Sequence, residues 1–162
     1  MGPFRKKKKV EIVEKKVEKI PEFDRFETEV YKEIPDELTR KLVEPFIKSP
    51  SSIQKINIEE KLEKAKNYEN RGQIANALHS LRLAAIAGFY KQSKDNPNTW
   101  KVYKDFLERH KDLPLIANYG YFGDIEAYDG IRKNENLEKI LIGVYRRMLG
   151  LSAEIKKEKP MD

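Results

Sequence analysis

Two side chains near the middle of this 162-residue chain have the types and spacing of a phosphate-binding pair. His79 and Arg82 stand three positions apart, so on a helix they are neighbours on one surface. An arginine there can bind a phosphate through two parallel N–H bonds, and a histidine can add a donor. A second interpretation stays open, in which Arg82 pairs with an acidic side chain of another helix and His79 bonds a backbone carbonyl.

A second segment, residues 115–128, combines glycine with aromatic side chains in the sequence LIANYGYFGDIEAY. Gly120 and Gly123 permit backbone angles that other residues avoid, or the close approach of a ligand. Tyr119 and its aromatic neighbours can stack on a nucleobase. The same composition is also typical of a packed aromatic loop, so the segment alone leaves both interpretations open.

The composition excludes several classes of chemistry. The chain has no cysteine, which rules out disulfides, a thiol nucleophile and any cysteine-ligated zinc or iron–sulfur centre. It has none of the motifs GxxxxGK[ST], GxGxxG, GxSxG or HExxH, so we do not expect an independent enzyme. No apolar run approaches the roughly 20 residues of a membrane helix, and the basic N-terminus lacks the apolar stretch of a signal peptide. We therefore expect a cytoplasmic protein without a membrane partner.

The hydrophobic pattern predicts an all-α domain of about five helices with no strand pairs. Proline and acidic residues at 35–37 favour a helix start there. Asn57 is a predicted cap for a helix over residues 58–69. Residues 51–57 are expected to be a connector, and residues 113–128 to be irregular. The other predicted helices cover residues 73–93, 100–110 with Thr99 as its cap, and 136–149 with Gly150 after its end.

The net charge of +6 is concentrated at the N-terminus. Residues 1–20 carry +5, which leaves +1 for the other 142 residues. Residues 1–33 have little apolar surface to bury, so a disordered basic arm is expected there, followed by a helical domain over 34–152 and a charged tail over 153–162. The arm is either solvated or contacts DNA or a partner through its basic run of Arg5, Lys6, Lys7, Lys8 and Lys9.

Together and in this order, the two segments resemble the C-terminal domain of the large subunit of archaeal and eukaryotic DNA primases. That family has His-x-x-Arg, then small and apolar residues and an aromatic/aliphatic pair; here the stretch runs from His79 to Tyr90. The family later has Ile-Arg-His-x-aromatic-Gly-x-x-Gly, which here is the shorter IANYGYFG from Ile116. An Ala-Asn pair replaces the Arg-His, and the four cysteines of a [4Fe–4S] cluster are absent. The PriX family, a cluster-free group of small archaeal primase subunits, is similar in length and helical class, and the resemblance covers about residues 58–150.

The resemblance implies a non-catalytic subunit of a DNA primase complex. Such a domain binds the initiating nucleoside triphosphate, which becomes the 5′ end of the RNA primer, and presents it to the catalytic small subunit. This would turn the encounter of two nucleotides into a nearly intramolecular step. The implied partners are the catalytic and large primase subunits, the single-stranded DNA template and nucleoside triphosphates. This chain would hold no cofactor, and metal ions are expected only on the catalytic subunit.

The resemblance also implies roles for the residues that match its motifs. Arg82 would be the main ligand of the triphosphate, with His79 as a second donor. Asn118 falls where the family has a histidine, and its amide can still donate. Tyr119 is the candidate to stack on the base or on the template.

Three more basic residues are candidates without a motif match. Arg71 lies about 20° from Arg82 around the helix axis, if the helix extends that far towards the N-terminus. Lys91 and Arg132 are further candidates because of their charge alone.

Other classes of function stay open on the sequence. The chain could be a helical protein-interaction adaptor that binds no nucleotide, in which case replacing Arg82 would leave partner binding unchanged. A protein that coats nucleic acid with the basic arm would show a steep salt dependence, lost on deletion of residues 1–20.

Overall fold

The computed structural model describes residues 21–91 and 98–150, and within these ranges the chain is all-α with no strand. The predicted all-α class is therefore confirmed for these residues, although the helices are shorter and more numerous than the expected five. In chain order they are α1 (Glu22–Glu33), α2 (Glu37–Val43), a 3-10 turn (Glu44–Phe46), α3 (Pro50–Lys55), α4 (Ile58–Asn70), α5 (Ile74–Lys91), α6 (Asn98–Arg109), α7 (Pro114–Ala117), α8 (Phe122–Lys133) and α9 (Glu135–Met148). None of these helices has both the length and the apolar character needed to cross a membrane.

Helix α5 is the centre of the fold. Helices α3, α4, α6 and α9 all pack against it. Every residue from Ala84 to Tyr90 is buried, so the second half of the helix is enclosed on all sides. A helix that is apolar all round requires such enclosure. The only charged side chains on α5 are Arg82 and Lys91, which makes Arg82 an exception that needs a polar partner.

A set of stacked aromatic rings joins α5 to its neighbours. Phe46 packs edge-on against Phe89, with ring centroids 4.8 Å apart, and stacks on Trp100 at 5.3 Å. Trp100 in turn stacks on Tyr128 at 4.4 Å. These contacts fix the 3-10 turn, α5, α6 and α8 relative to one another. Side chains one or two turns away on the same helices therefore keep fixed positions relative to each other.

The boundary between arm and domain, expected after residue 33, is wrong. Residues 22–33 form α1, on which Phe26 and Val30 are fully buried. The two stand four positions apart on one helical face, and the many acidic residues around them hide this stripe in the sequence. Phe26 packs edge-on against Tyr90 with centroids 5.9 Å apart. The domain therefore includes α1, while residues 1–20 and 151–162 lie outside the described residues.

Two further expectations about local structure are corrected. The expected connector 51–57 mostly belongs to α3, and the expected irregular segment 113–128 contains α7 and the first half of α8. Proline explains both misreadings, since Pro50 and Pro114 each stand at the first position of a short helix, where the missing N–H costs nothing.

Two of the three predicted helix ends are confirmed. The Asn57 side chain accepts from the Glu60 N–H at 3.0 Å and caps α4, as predicted. Gly150 follows α9 with φ of +73°, also as predicted. Thr99 does not cap a helix; it is the second residue of α6, buried against the close approach of Gly88 on α5.

Candidate functional site

The candidate site is centred on an ion pair between the two sequence motifs. Arg82 donates from Nε to Oδ2 of Asp124 at 2.7 Å, and from Nη2 to Oδ1 at 3.4 Å. The Tyr103 hydroxyl donates to the same Oδ2 at 2.7 Å. Asp124 is buried and Tyr103 fully so, whereas the Arg82 side chain keeps 29% of its surface exposed. The guanidinium therefore has one edge fixed by the protein, while part of the Arg82 side chain remains exposed.

The interaction with Asp124 keeps the Arg82 guanidinium in its charged form. Burial opposes the charged guanidinium, but the hydrogen bond and the charge of Asp124 outweigh it and raise the pKa of Arg82. Burial and the neighbouring Asp124 carboxylate likewise raise the pKa of the Tyr103 phenol well above its usual range, so Tyr103 serves as a hydrogen-bond donor.

Local sequence explains why Asp124 reaches this position. Gly120 has φ of +69°, a left-handed angle that glycine adopts freely and that turns the chain out of α7. Helix α8 then begins at Phe122, which places Asp124 in its first turn, where a carboxylate interacts favourably with the helix dipole. Tyr103 lies one turn beyond Trp100 on α6, so the aromatic stack holds its hydroxyl at the same carboxylate.

A second cation, Lys48, interacts with this pair through its charge. Lys48 follows the 3-10 turn and is partly buried. Burial lowers the pKa of its ammonium, the charge of Arg82 lowers it further, and the Asp124 carboxylate acts in the opposite direction. The cluster of Lys48, Arg82, Asp124 and Tyr103 thus contains two cations and one carboxylate.

The other motif residues are exposed on the surface. His79 is exposed one turn before Arg82 on α5 and bonds no other described residue. Asn118 is exposed at the end of α7. Tyr119 keeps 70% of its surface exposed and leads through Gly120 into the helix that carries Asp124. The contact between Arg82 and Asp124 therefore brings the two motif segments together at one place in the fold.

One of the two interpretations of the first motif paired Arg82 with an acidic side chain of another helix. This part is confirmed, because Asp124 belongs to α8. The expected carbonyl partner of His79 is not found among the described residues. The pairing leaves Nη1 of Arg82 without a hydrogen bond to any described residue. Since arginine has five N–H donors, the free edge can still bind an anion.

The three basic candidates without a motif match are placed elsewhere. Arg71 belongs to the turn between α4 and α5, so the helix does not extend to it, and its backbone N–H closes the end of α4. Lys91 donates to the carbonyls of Gln54 and Ile56, at 3.1 and 2.6 Å, and ties α5 to the end of α3.

Arg132 is likewise engaged in structure, because it pairs with Glu138 and lies over the ring of Tyr128. The basic run from Arg5 to Lys9 lies outside the described residues. Arg71, Lys91 and Arg132 are therefore not part of the described cluster.

Sequence reasoning missed three members of the cluster. Asp124 directly follows Gly123 in the second segment. An acidic residue at this place is typical of the first turn of a helix, so its position could have been predicted from the sequence. No sequence pattern indicates what the Tyr103 hydroxyl contacts. Lys48 carries no local signal, because only the tertiary fold brings it to Arg82.

Comparison of the chain with protein-family models, with curated proteins and with solved structures gave no match in any of the three. The assignment of the site therefore rests on its geometry and on the two sequence motifs.

Proposed function

We propose that this protein is a non-catalytic subunit of a DNA primase complex, and that Arg82 binds the triphosphate of the nucleotide that starts the RNA primer. The observation that carries the proposal is the state of Arg82. Asp124 and Tyr103 orient its guanidinium, which keeps its charge, and part of the Arg82 side chain is exposed. A donor fixed in this way loses little entropy on binding a phosphate.

The surroundings of Arg82 suit the remaining parts of a nucleotide. His79, one turn away on the exposed side of α5, adds a donor to the phosphates. Tyr119 offers an exposed ring for a base or for the template strand. Asn118, beside it, contributes an uncharged amide where the related family has histidine.

In this proposal the subunit holds one reactant and a partner performs the chemistry. The catalytic subunit, with its metal ions, forms the phosphodiester bond, and the large subunit and the template complete the complex. The contribution of this chain is to hold the first nucleotide close to the second, which lowers the entropic part of the barrier to initiation.

The proposal is tested by separating initiation from extension. The full chain is combined with the catalytic and large primase subunits of its own cell, and primer synthesis is compared between wild type and Arg82→Gln. Loss of a charged hydrogen bond to phosphate costs about 1.5–3 kcal/mol, so initiation is expected to fall about 10- to 150-fold. Extension of a ready-made primer is expected to stay within about twofold, because it needs no initiating triphosphate. Equal losses in both assays would contradict the proposal.

Arg132→Gln is the matched control. Arg132 also pairs with a carboxylate from a neighbouring segment, and its side chain is 27% exposed, close to the 29% of Arg82. The control therefore loses a comparable ion pair at a distance from the cluster. A similar loss of initiation in both variants would show that the effect of Arg82→Gln is structural.

The adaptor without nucleotide binding has one feature in its favour, a surface groove between α4, α5 and α6. Val102 is 40% exposed in this groove, and Leu62 and Leu81 line it together with acidic and basic neighbours. If the adaptor interpretation is correct, the full chain will recover a protein partner from its native extract equally well with and without Arg82→Gln. It will also show no preference for a triphosphate.

A further inference from the structure

The groove between α4, α5 and α6 has an apolar lining that the described residues leave open. Its volume is about 410 Å³, and one apolar side chain from each helix lines it, namely Leu62, Leu81 and Val102. Val102 keeps 40% of its surface exposed there. An apolar groove between helices is a surface into which an amphipathic helix can pack its own apolar face.

The start of this groove carries acidic side chains without partners. Glu59 and Glu63 line it one turn apart on α4, and both are exposed. Neither side chain makes an ion pair or a hydrogen bond with another described residue. Towards the other end, Lys66 lines the groove, and Arg109 is paired with Glu69. A segment that fits this surface therefore needs an apolar stripe with basic side chains beside it.

Residues 9–17, which lie outside the described residues, have this combination in their sequence KVEIVEKKV. The first two valines are three positions apart and the next two are four apart, so in a helix all three form one stripe. Lys9 and Lys16 follow one edge of this stripe. Alone, the segment has too little apolar surface to offset its ordering entropy, and the groove supplies the missing contact.

The segment is close enough in the chain to reach the groove. Glu22 accepts hydrogen bonds from Ser49 Oγ at 2.6 Å and from the Ser51 N–H at 2.7 Å, which fixes the start of α1 against the start of α3. From Ser51 the chain reaches Glu59 through α3 and two connecting residues, a path of at most about 20 Å. The five steps from Val17 to Glu22 span up to about 18 Å, and packed helix axes lie about 8–10 Å apart. The tether between the segment and α1 is therefore long enough for docking at the start of the groove.

We propose that this groove is the docking site of the chain's own residues 9–17. The segment binds as an amphipathic helix, with its valines on the apolar lining and its lysines beside Glu59 and Glu63. This inference goes beyond the proposed function and does not depend on it. A separate protein enters the groove only by displacing the segment.

The test uses the absence of cysteine from the chain. Val13→Cys in the segment and Val102→Cys in the groove are introduced together into the full chain, and the disulfide that forms under a mild oxidant is followed by mass spectrometry. The control pairs Val13→Cys with Leu38→Cys, because Leu38 on α2 is 77% exposed and thus more open to random encounters. Each rate is divided by the reactivity of the same cysteines towards a small thiol reagent.

The groove pair is expected to form a disulfide within one chain at least about tenfold faster than the control pair, because docking raises the effective concentration of the two thiols. This rate should not depend on protein concentration. Equal rates for the two pairs would overturn the inference. A disulfide that joins two chains would also overturn it, since the occupant would then be a second copy.

A second measurement tests the charges with the same two cysteines. Glu59→Lys together with Glu63→Lys is expected to slow the disulfide within one chain about fivefold, because two attractive contacts become repulsive. Adding Lys9→Glu and Lys16→Glu should restore most of the rate, since opposite charges then face each other again. A rate that the added changes do not restore would count against the inference.

The matched control places the same two charges on another helix. Glu126→Lys and Asp129→Lys change two exposed positions of α8, and together they should alter the rate by no more than about twofold. If this control slows the disulfide as much as the two changes on α4, the effect is general electrostatics and the inference fails.

Discussion

Arg82 and Asp124, 42 residues apart in the chain, form the ion pair that joins helix α5 to the first turn of helix α8. Tyr103 on α6 bonds the same carboxylate oxygen, so three helices meet at one buried acceptor. The pair has two consequences. It ties the helices together, and it fixes the guanidinium that we propose to bind phosphate.

The structural consequence predicts a coupling between the two residues. In a double-mutant cycle with Arg82→Gln and Asp124→Asn, each single change should cost about 1–3 kcal/mol of the free energy of unfolding, because it leaves a partly buried polar partner. The double variant should cost less than the sum by about 1 kcal/mol or more. Urea unfolding of the four proteins measures this.

The exposed pair of Lys101 and Asp105, with N and O atoms 3.1 Å apart, is the reference for this cycle. Its coupling should be only about 0.3–0.5 kcal/mol, as for other exposed pairs one helical turn apart. A coupling for Arg82 and Asp124 no larger than that of the reference would show that their contact contributes little to the fold.

Helix α1 supplies a test of the corrected domain boundary. Phe26 is fully buried and packs on Tyr90, whereas Phe23 on the same helix is 41% exposed. Phe26→Ala should therefore lower the free energy of unfolding by about 3–5 kcal/mol, and Phe23→Ala by about 0.5 kcal/mol or less. Chemical unfolding measures both. If the two changes cost the same small amount, residues 22–33 do not belong to the folded domain.

The limits of prediction from this sequence have physical causes. Helices α4, α5 and α9 were predicted closely, because each has a clear cap or a long apolar period. Helix α1 was missed since its buried stripe is only two or three residues wide and its other positions are strongly charged. A helix is predicted from the periodicity of its apolar residues. A narrow apolar stripe among many charged residues has too weak a periodicity to be recognised.

The residues of the candidate site also differ in how well the sequence predicts them. Arg82 was identified from its spacing to His79, because that spacing is local. Its partner Asp124 comes from the first turn of α8, and Lys48 follows Phe46, which the aromatic stack holds. No local pattern encodes contacts between segments that are distant in the chain. The residues that give the site its charge balance therefore needed the structure.

The two glycines of the second segment differ in a way that predicts opposite effects. Gly120 has φ of +69° with open space around it, so Gly120→Ala is strained by the backbone alone and should cost about 1–2 kcal/mol. Gly123 lies in the first turn of α8 and also has open space, so Gly123→Ala should leave stability unchanged or raise it by up to about 0.5 kcal/mol. Thermal or urea unfolding measures the pair. A loss at Gly123 equal to that at Gly120 would contradict this account of the turn.

Glu69 predicts how stability responds to acid. Arg109 donates to its two oxygens at 3.0 and 2.8 Å, and the His110 ring nitrogen lies 2.6 Å from one of them. Burial raises the pKa of Glu69, but these bonds and charges outweigh it, so the net pKa lies below the ordinary value of 4.5. A carboxyl group with a lower pKa in the folded state stabilises the fold above the unfolded value, and this stabilisation is lost as the pH falls through the folded value.

We therefore expect Glu69→Gln to be less stable than wild type by about 1 kcal/mol at neutral pH, with a difference that shrinks as the pH falls below 4.5. Urea unfolding at several pH values between neutrality and this acidic range measures the difference. Glu63→Gln, at an exposed position of the same helix, is the control and should differ from wild type by no more than about 0.5 kcal/mol at any pH. A stability difference for Glu69→Gln that is constant over the whole range would mean that the bonds from Arg109 and His110 do not depend on the charge of Glu69.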